Sequence, residues 1–325
     1  MSNFFLGVDV GSTKTHALVV DETGEVLGFG KGGPGNHECV GYHGFVEAVR
    51  MAVHASLLDA GITIHDLHGA GFGISGYDWS SERPVFLNLL NDLGLNCPYE
   101  IVNDTCLGLL AGTNRGWGIA VVAGTGCNCW GWTEGRQKIG QVTGAGIEMG
   151  EGAGATELVA RAIQMTAYEW TRRGPVTSLT TAFVQRAGAS GLEDLLEGLV
   201  NGRYKLDASA APLVFDCAER GDVVAREVIH WAGVELGELA KCVIRQLQLE
   251  ERDFDVVMIG SLFAGGAFLR QPFQESVLEL APGAQFTRLK SSPAVGAAIL
   301  GIEAAGLQVG DDLRKAMINN FAGVA

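Results

Sequence analysis

The chain has 325 residues, enough for two domains of ordinary size, and its 47% hydrophobic against 18% charged residues exclude wholesale disorder. A net charge of −14 argues against nucleic acid or an anionic membrane as the main partner, though not against a locally basic phosphate site.

Met1-Ser2-Asn3 leads straight into an apolar run with no basic start, h-region or cleavage site, and no run approaches the ~18 apolar residues of a membrane helix, so the expectation is a cytoplasmic protein. Leu6 to Val20 reads as a β-hairpin: an apolar run, a turn of glycine and small hydroxyl residues, then a second apolar run. Gly11 permits a conformation closed to other residues, and Ser12, Thr13, Lys14 and Thr15 offer donors to phosphate oxygens. Asp9 ends the first strand, where a carboxylate suits the waters around Mg²⁺. An ordinary hairpin whose turn holds Gly and Ser reads the same way.

Asp21 to Gly24 is a turn, Glu25 to Phe29 a third strand, and Gly30 to Gly35 a glycine-rich loop ending at Asn36-His37. Phe45, Val49, Val53 and Leu57 recur at helical spacing and predict a helix from His43 to Ala60. Gly69 to Ile74 is a strand closed by Ser75-Gly76-Tyr77-Asp78. Pro84 opens the next helix and Gly94 ends it. Tyr99 to Val102 is a strand that delivers Asn103-Asp104 to its end, before a short helix over Cys106 to Ala111. Asp104 is therefore placed where ligands gather in α/β sheets, able to take a proton from a substrate hydroxyl, although an N-cap aspartate sits in the same place.

The pattern then restarts. Gly118 to Ala123 is a strand, Gly124-Thr125-Gly126 a turn, Cys127 to Thr133 a second strand, and Glu134-Gly135-Arg136 a further turn before a third strand. Such a repeat predicts two related α/β domains facing each other, with two glycine turns holding a polyphosphate between them. The second copy has no aspartate before its turn, so the metal is assigned to Asp9 in the first. Of the seven cysteines only Cys127 and Cys129 are close, with no partners at zinc spacing, so free thiols are expected. Gly140 to Gly154 is too rich in glycine for one helix. Helices follow at 155–172, 192–200, 206–220 and 222–248, then a buried strand over 255–259. Gly260 and Ser261 open a small-residue loop that admits a flat ring and its ribose, or serves only as a strand-to-helix loop. A helix over 267–280, a strand over 285–289, a helix capped by Ser291-Ser292-Pro293 and an amphipathic or frayed end complete the chain.

Asp9 to Thr15, Val102-Asn103-Asp104, Ala123 to Cys129, Ile259 to Phe263 and Ser291 to Ala298 together resemble the N-acetylglucosamine kinases of the BadF/BadG/BcrA/BcrD group, within the sugar kinase–Hsp70–actin superfamily. The similarity runs from about Leu6 to Gly306. It implies an α/β protein of two actin-like (ribonuclease H-like) ATPase domains closing on ATP, Mg²⁺ and an amino sugar. The domains would span residues 1–115, rejoined by 293–325, and residues 116–292. The resemblance further implies Asp104 as the base toward the sugar 6-hydroxyl, and Asp9 with Gly11, Ser12, Thr13 and Lys14 toward Mg²⁺ and the phosphates. Asn36, Ser75, Gly76, Asn103, Thr125 and Asn128 would face the sugar, Gly124, Thr125 and Gly126 the phosphates, and Gly260 and Ser261 the adenosine.

One segment departs from the group. Where it usually reads Gly-Asp-Glu-Gly-Ser, this chain has Gly150-Glu151-Gly152-Ala153-Gly154, so Glu151 reaches one methylene further toward the sugar. N-acetylglucosamine is the expected substrate and glucosamine the nearest variant. An ATP-driven activator of a dehydratase or reductase would need cysteines for an iron–sulfur cluster, with Cys127 and Cys129 as its candidates. A non-catalytic sugar-binding regulator would usually carry an N-terminal DNA-binding helix pair, for which the opening strand leaves no room. Relatives are often dimers, and the apolar composition allows a homodimer.

Overall fold

The computed structural model describes residues 3–321; Met1, Ser2 and residues 322–325 lie outside the described residues. Strands β1 (Phe4–Val10) and β2 (Thr15–Asp21) form the expected antiparallel hairpin, with Asp9 opposite His16 and Val10 opposite Thr15. β3 (Val26–Gly32) extends it. After α1 (His37–Ala60), β4 (Leu67–Ile74) runs parallel to β1; after α2 (Arg83–Asn91), β5 (Tyr99–Asn103) runs parallel to β4 and leads into α3 (Asp104–Gly112). The sheet order is β3-β2-β1-β4-β5.

The second half repeats this plan. β6 (Gly118–Ala123), β7 (Cys127–Trp132) and β8 (Ile139–Val142) are an antiparallel meander. A helical insertion follows: α4 (Ala155–Trp170), α5 (Ser178–Ala187), α6 (Leu192–Val200), α7 (Ala211–Glu219) and α8 (Val223–Leu247). β9 (Phe254–Ile259), α9 (Ala267–Leu280) and β10 (Ala284–Arg288) close the sheet in the order β10-β9-β6-β7-β8, the first sheet's topology read from its other edge. α10 (Pro293–Ala304) then returns to lie on β1 and β4 of the first sheet, and α11 (Asp311–Phe321) follows.

Glycine stripes set how closely the helices approach. On one face of the first sheet, a Cβ at Gly28, Gly30 or Gly32 would stand 2.0–2.2 Å from α1 carbonyl oxygens of Ser56, Ala52 and Ala48. The sequence predicted a loop from Gly30; the strand instead runs on to Gly32, because these glycines are the seat of α1 and pair with β2. On the other face, a Cβ at Gly7 or Gly71 would meet α10 backbone at 2.2 and 2.3 Å, and one at Gly73 would meet Leu107 of α3 at 2.2 Å. Helices α3 and α10 thus lie against the first sheet while α3 also packs on β6, β7 and β9.

Several boundaries differ from expectation for local reasons. α1 begins at His37 rather than His43, because Asn36 caps it, its side chain accepting from the Glu38 amide at 2.9 Å, and the helix bends at Gly41 (φ +69°). α3 begins at Asp104, two residues early, capped by Asn103. α7 starts at Ala211 rather than 206, after a short 3₁₀ turn that Asp207 caps. Helix α5 had no counterpart in the sequence reading; Thr177 caps it, and Asp222 accepts from both Thr177 Oγ1 (2.9 Å) and the Ser178 amide (2.6 Å) while capping α8. Among the described residues no helix is long and apolar enough to cross a membrane.

Candidate active site

Strand alternation places the first group of polar residues. Gly7 faces α10, so Asp9, two residues on, points to the same side; Gly71 and Gly73 face α10 and α3, so Ser75 does too. Both side chains emerge beyond the N-terminus of α3, where Asp104 is the first helical residue. Asn103, not Asp104, is the cap: its Oδ1 accepts the Thr105 amide at 3.0 Å, and its Nδ2 donates to Asp78 Oδ1 at 2.9 Å and the Tyr77 carbonyl at 3.2 Å. Asp104 is thereby freed from capping.

The first hairpin turn closes on itself and on the strands beside it. The Gly11 amide donates to the Lys14 carbonyl (3.0 Å), the Gly35 amide to the Gly11 carbonyl (3.0 Å), and the Ser75 amide to the Val10 carbonyl (2.9 Å). Ser12 Oγ and Ser75 Oγ lie 3.1 Å apart, and Asn36 Nδ2 donates to Ser12 Oγ at 3.2 Å and Ser75 Oγ at 3.4 Å. Gly76 (φ +81°) is needed here, since a Cβ would stand 2.6 Å from Asn36 Oδ1. Asp9, Ser12, Asn36, Ser75, Gly76 and Asp104 therefore form one cluster, with Thr13 and Lys14 exposed at its rim, while the Asn103 side chain turns away to Tyr77 and Asp78.

The second cluster comes from the other sheet. The Gly124 and Thr125 carbonyls accept the Ala155 and Thr156 amides at 2.9 and 3.1 Å, so the turn sits on the first turn of α4. Gly154 makes this possible, because a Cβ there would lie 2.5 Å from Gly126. Gly260 (φ +106°) presses against Ala123, with Ser261 exposed beside it. Two hydrogen bonds tie the clusters together: Thr105 Oγ1 to Asn128 Oδ1 at 2.8 Å, and Gln141 Nε2 to the Asp78 carbonyl at 2.7 Å. Among the described residues no hydrogen bond joins the 11–14 turn to the 124–126 turn. Glu151 is fixed through one carboxylate oxygen: its Oε2 accepts from Thr143 Oγ1 (3.0 Å), the Gly144 amide (2.7 Å) and the Ala145 amide (2.9 Å), ordering that loop.

The electrostatics are those of crowded acids. Burial, then the charge of Asp104, push Asp9 up from 3.8 to about 7, with Lys14 acting against them. Burial raises Asp104 to about 6, opposed by the Thr105 amide and the Ser75 hydroxyl, which favour its charged form. Asp78 is also raised to about 7, by burial and then by Glu38, Asp104, Glu82 and Glu151. Neither Asp9 nor Asp104 forms an ion pair among the described residues. Sequence reasoning missed Asp78, Thr105 and Gln141. Asp78 was visible only as the end of a turn, and the other two matter through contacts between halves that no local pattern encodes.

Asp9 supplies a test of this reading in the ligand-free protein. Its folded-state value lies above its unfolded one, so its contribution to stability is fully present below about 3.8 and is lost as pH rises toward about 7. Asp9→Asn is expected to raise the melting temperature at pH 8 and leave it nearly unchanged at pH 4. Thermal melts at both values decide; a variant less stable than the parent at pH 8 would show that Asp9 is not held in an adverse environment.

The cysteines lie elsewhere in chemical character. Cys127 and Cys129 are 6% and 0% exposed, and burial pushes the first thiol up to about 11 and the second well above its ordinary value, so both carry their protons here.

Comparison with known proteins places this arrangement. The chain is 25% identical over 312 residues to N-acetyl-D-glucosamine kinase of Dictyostelium discoideum, covering 92% of this chain and 97% of that one. It is 23% identical over 302 residues to N-acetylmuramic acid/N-acetylglucosamine kinase of Clostridium acetobutylicum, covering 91% and 97%. In structure it is similar to a protein of Chromobacterium violaceum described as a candidate N-acetylglucosamine kinase, with TM-score 0.68, 23% identity and coverage of 92% and 98%. It is also similar to a ROK family glucokinase of Streptomyces griseus solved with glucose and AMPPNP, with TM-score 0.54, 21% identity and coverage of 93% and 100%. The two mixed sheets are thus the actin-like ATPase fold of the sugar kinases. The family model described as BadF/BadG/BcrA/BcrD ATPase matches residues 6–301, and the chain belongs to that family.

Proposed function

We propose that this chain is an ATP-dependent kinase that phosphorylates N-acetylglucosamine on its 6-hydroxyl. The observation that carries the reading is Asp104: an aspartate without an ion pair, at the start of α3 and relieved of capping by Asn103, beside Ser75 and Asp9. The sequence relatives named for N-acetylglucosamine phosphorylation supply the substrate. In this reading residues 1–115 with 293–325, and residues 116–292, are the two domains whose approach encloses the reactants.

In this reading each residue has a role. Asn36 and Ser75 orient the sugar, with Asn128 on the facing strand. The amides of the Gly11–Lys14 and Gly124–Gly126 turns hold phosphate oxygens, Lys14 adds positive charge, and Gly260 and Ser261 border the base and ribose. Asp104 accepts the 6-hydroxyl proton as the oxygen–phosphorus bond forms and the bond from phosphorus to the ADP oxygen breaks. Asp9 and Asp104, two close carboxylates without cationic partners, fit a divalent cation. No group of three or more His, Cys, Asp or Glu side chains is gathered among the described residues, so Asp9 would hold Mg²⁺ with water and phosphate completing its shell. Bound there, Mg²⁺ neutralises charge on the phosphates. Glu151 contributes by shaping the 143–145 loop.

ADP release measured with a panel of sugars tests the proposal: N-acetylglucosamine should be turned over, and a chain that releases no ADP with any sugar is not this kinase. The rate should also follow Asp104. A base must be ionised, so kcat/KM should climb through an apparent pKa near 6 and level off above it. A profile flat from pH 5 to 8 would remove Asp104 from the role.

The iron–sulfur activator reading, whose candidate cysteines Cys127 and Cys129 are both buried, is disposed of by a colourless, iron-free protein.

A further inference from the structure

The cavity behind the catalytic strand end is not used by the mechanism above. It has a volume of about 540 Å³ and takes its walls from both halves of the molecule: the 77–83 loop, β5 and the start of α3 on one side, β7 and β8 on the other. Asp9, Ser12, Asn36, Ser75, Asp104 and Thr125 are all absent from its lining. Indoles dominate it: Trp130 and Trp132 are buried in the far wall, while Trp79 stands 52% exposed at the mouth with Ile139, 62% exposed, opposite. Large apolar side chains left in water at the edge of an aromatic cavity mark a surface waiting for a ligand.

The polar groups narrow the ligand's chemistry. Arg83 is already paired with Glu100 at 2.6 Å and Arg136 with Glu303, so neither guanidinium offers a free charge to an anion. Asp78, Asn103 and Gln141 line the inner wall; Asn103 spends its amide hydrogens on Tyr77 and Asp78, which leaves the Asp78 carboxyl and the Gln141 side-chain amide as the groups that meet a ligand. Flat aromatic faces flanked by amides and a carboxyl suit a pyranose, whose C–H face packs on indole while its equatorial hydroxyls reach the polar rim.

We propose that this cavity is a second saccharide site, taking one neutral pyranose against Trp79, since the Trp132 ring is already covered by the Arg136 guanidinium at 4.5 Å. The inner wall gives the site its consequence, since Asn103 caps the helix that begins with Asp104, and the Gln141–Asp78 hydrogen bond joins the two halves. The inference stands apart from the phosphoryl-transfer reading, because it is counted by binding and not by turnover.

The test is calorimetric titration of the full chain, free of nucleotide, with N-acetylglucosamine and separately with glucose. Two binding events per chain are expected with N-acetylglucosamine. Trp79→Ala, at an exposed position, should weaken one of them about tenfold, the scale of one aromatic contact, and leave the other unchanged. Ile139→Asp should act on the same event, whereas Asn36→Ala should weaken only the other. A single event with both sugars overturns the proposal, as does a second event that neither Trp79→Ala nor Ile139→Asp alters.

Discussion

Asp104→Asn is expected to lower turnover by roughly 10²–10⁴-fold, the range over which a positioned general base contributes, with sugar affinity close to that of the parent. The substitution keeps the shape, and Asn103, whose oxygen accepts the Thr105 amide, still caps α3. It removes only the proton acceptor. It also removes a carboxylate that burial holds up at about 6, so the variant should melt no lower than the parent near pH 8. Loss of activity therefore cannot be charged to unfolding. Initial rates, sugar titration and a thermal melt on one preparation separate the possibilities. A variant retaining a tenth or more of the rate would assign proton removal to another group, with Asp78 the nearest alternative; one that no longer binds sugar would make Asp104 a substrate anchor instead.

How much of this was readable from the sequence depends on whether a residue's environment is local. The hairpin tips, Asp9 and the strand end at Asn103-Asp104 follow from alternation of apolar residues interrupted by glycine, and the repeat of that pattern gave two sheets of one topology. The predicted helix face of Phe45, Val49, Val53 and Leu57 is buried as its spacing required. Errors came where a residue answers to a partner far along the chain. Gly30 and Gly32 look like loop residues until α1 is laid on them. Helix α5 escaped because Thr177 is a weak local signal and its partner Asp222 lies 45 residues away. The N-cap reading of Asp104 was right about the place and wrong about the residue, since Asn103 takes the capping bond.

Gly7→Ala should destabilise the fold by about 3 kcal/mol or more, at or beyond the usual range for overpacking. The new Cβ would lie 2.2 Å from the Ala298 amide nitrogen and 2.6 Å from the Ala297 carbonyl carbon, both backbone atoms of α10 that cannot rotate aside. Relief requires moving α10 or β1. α10 is pinned on its other side, where a Cβ at Gly296 would stand 2.0 Å from the Leu107 carbonyl oxygen of α3, so its shift would be passed to the helix that begins with Asp104. Moving β1 displaces Asp9 and, through the Val10–Ser75 backbone bond, Ser75. Stability and activity should consequently fall together, unlike in Asp104→Asn. Gly33→Ala is the control: no atom comes within 4 Å of its new Cβ, and its effect should be small. Urea unfolding of the two variants decides the matter, and equal stabilities would show that the first sheet and α10 are packed less tightly than these distances require.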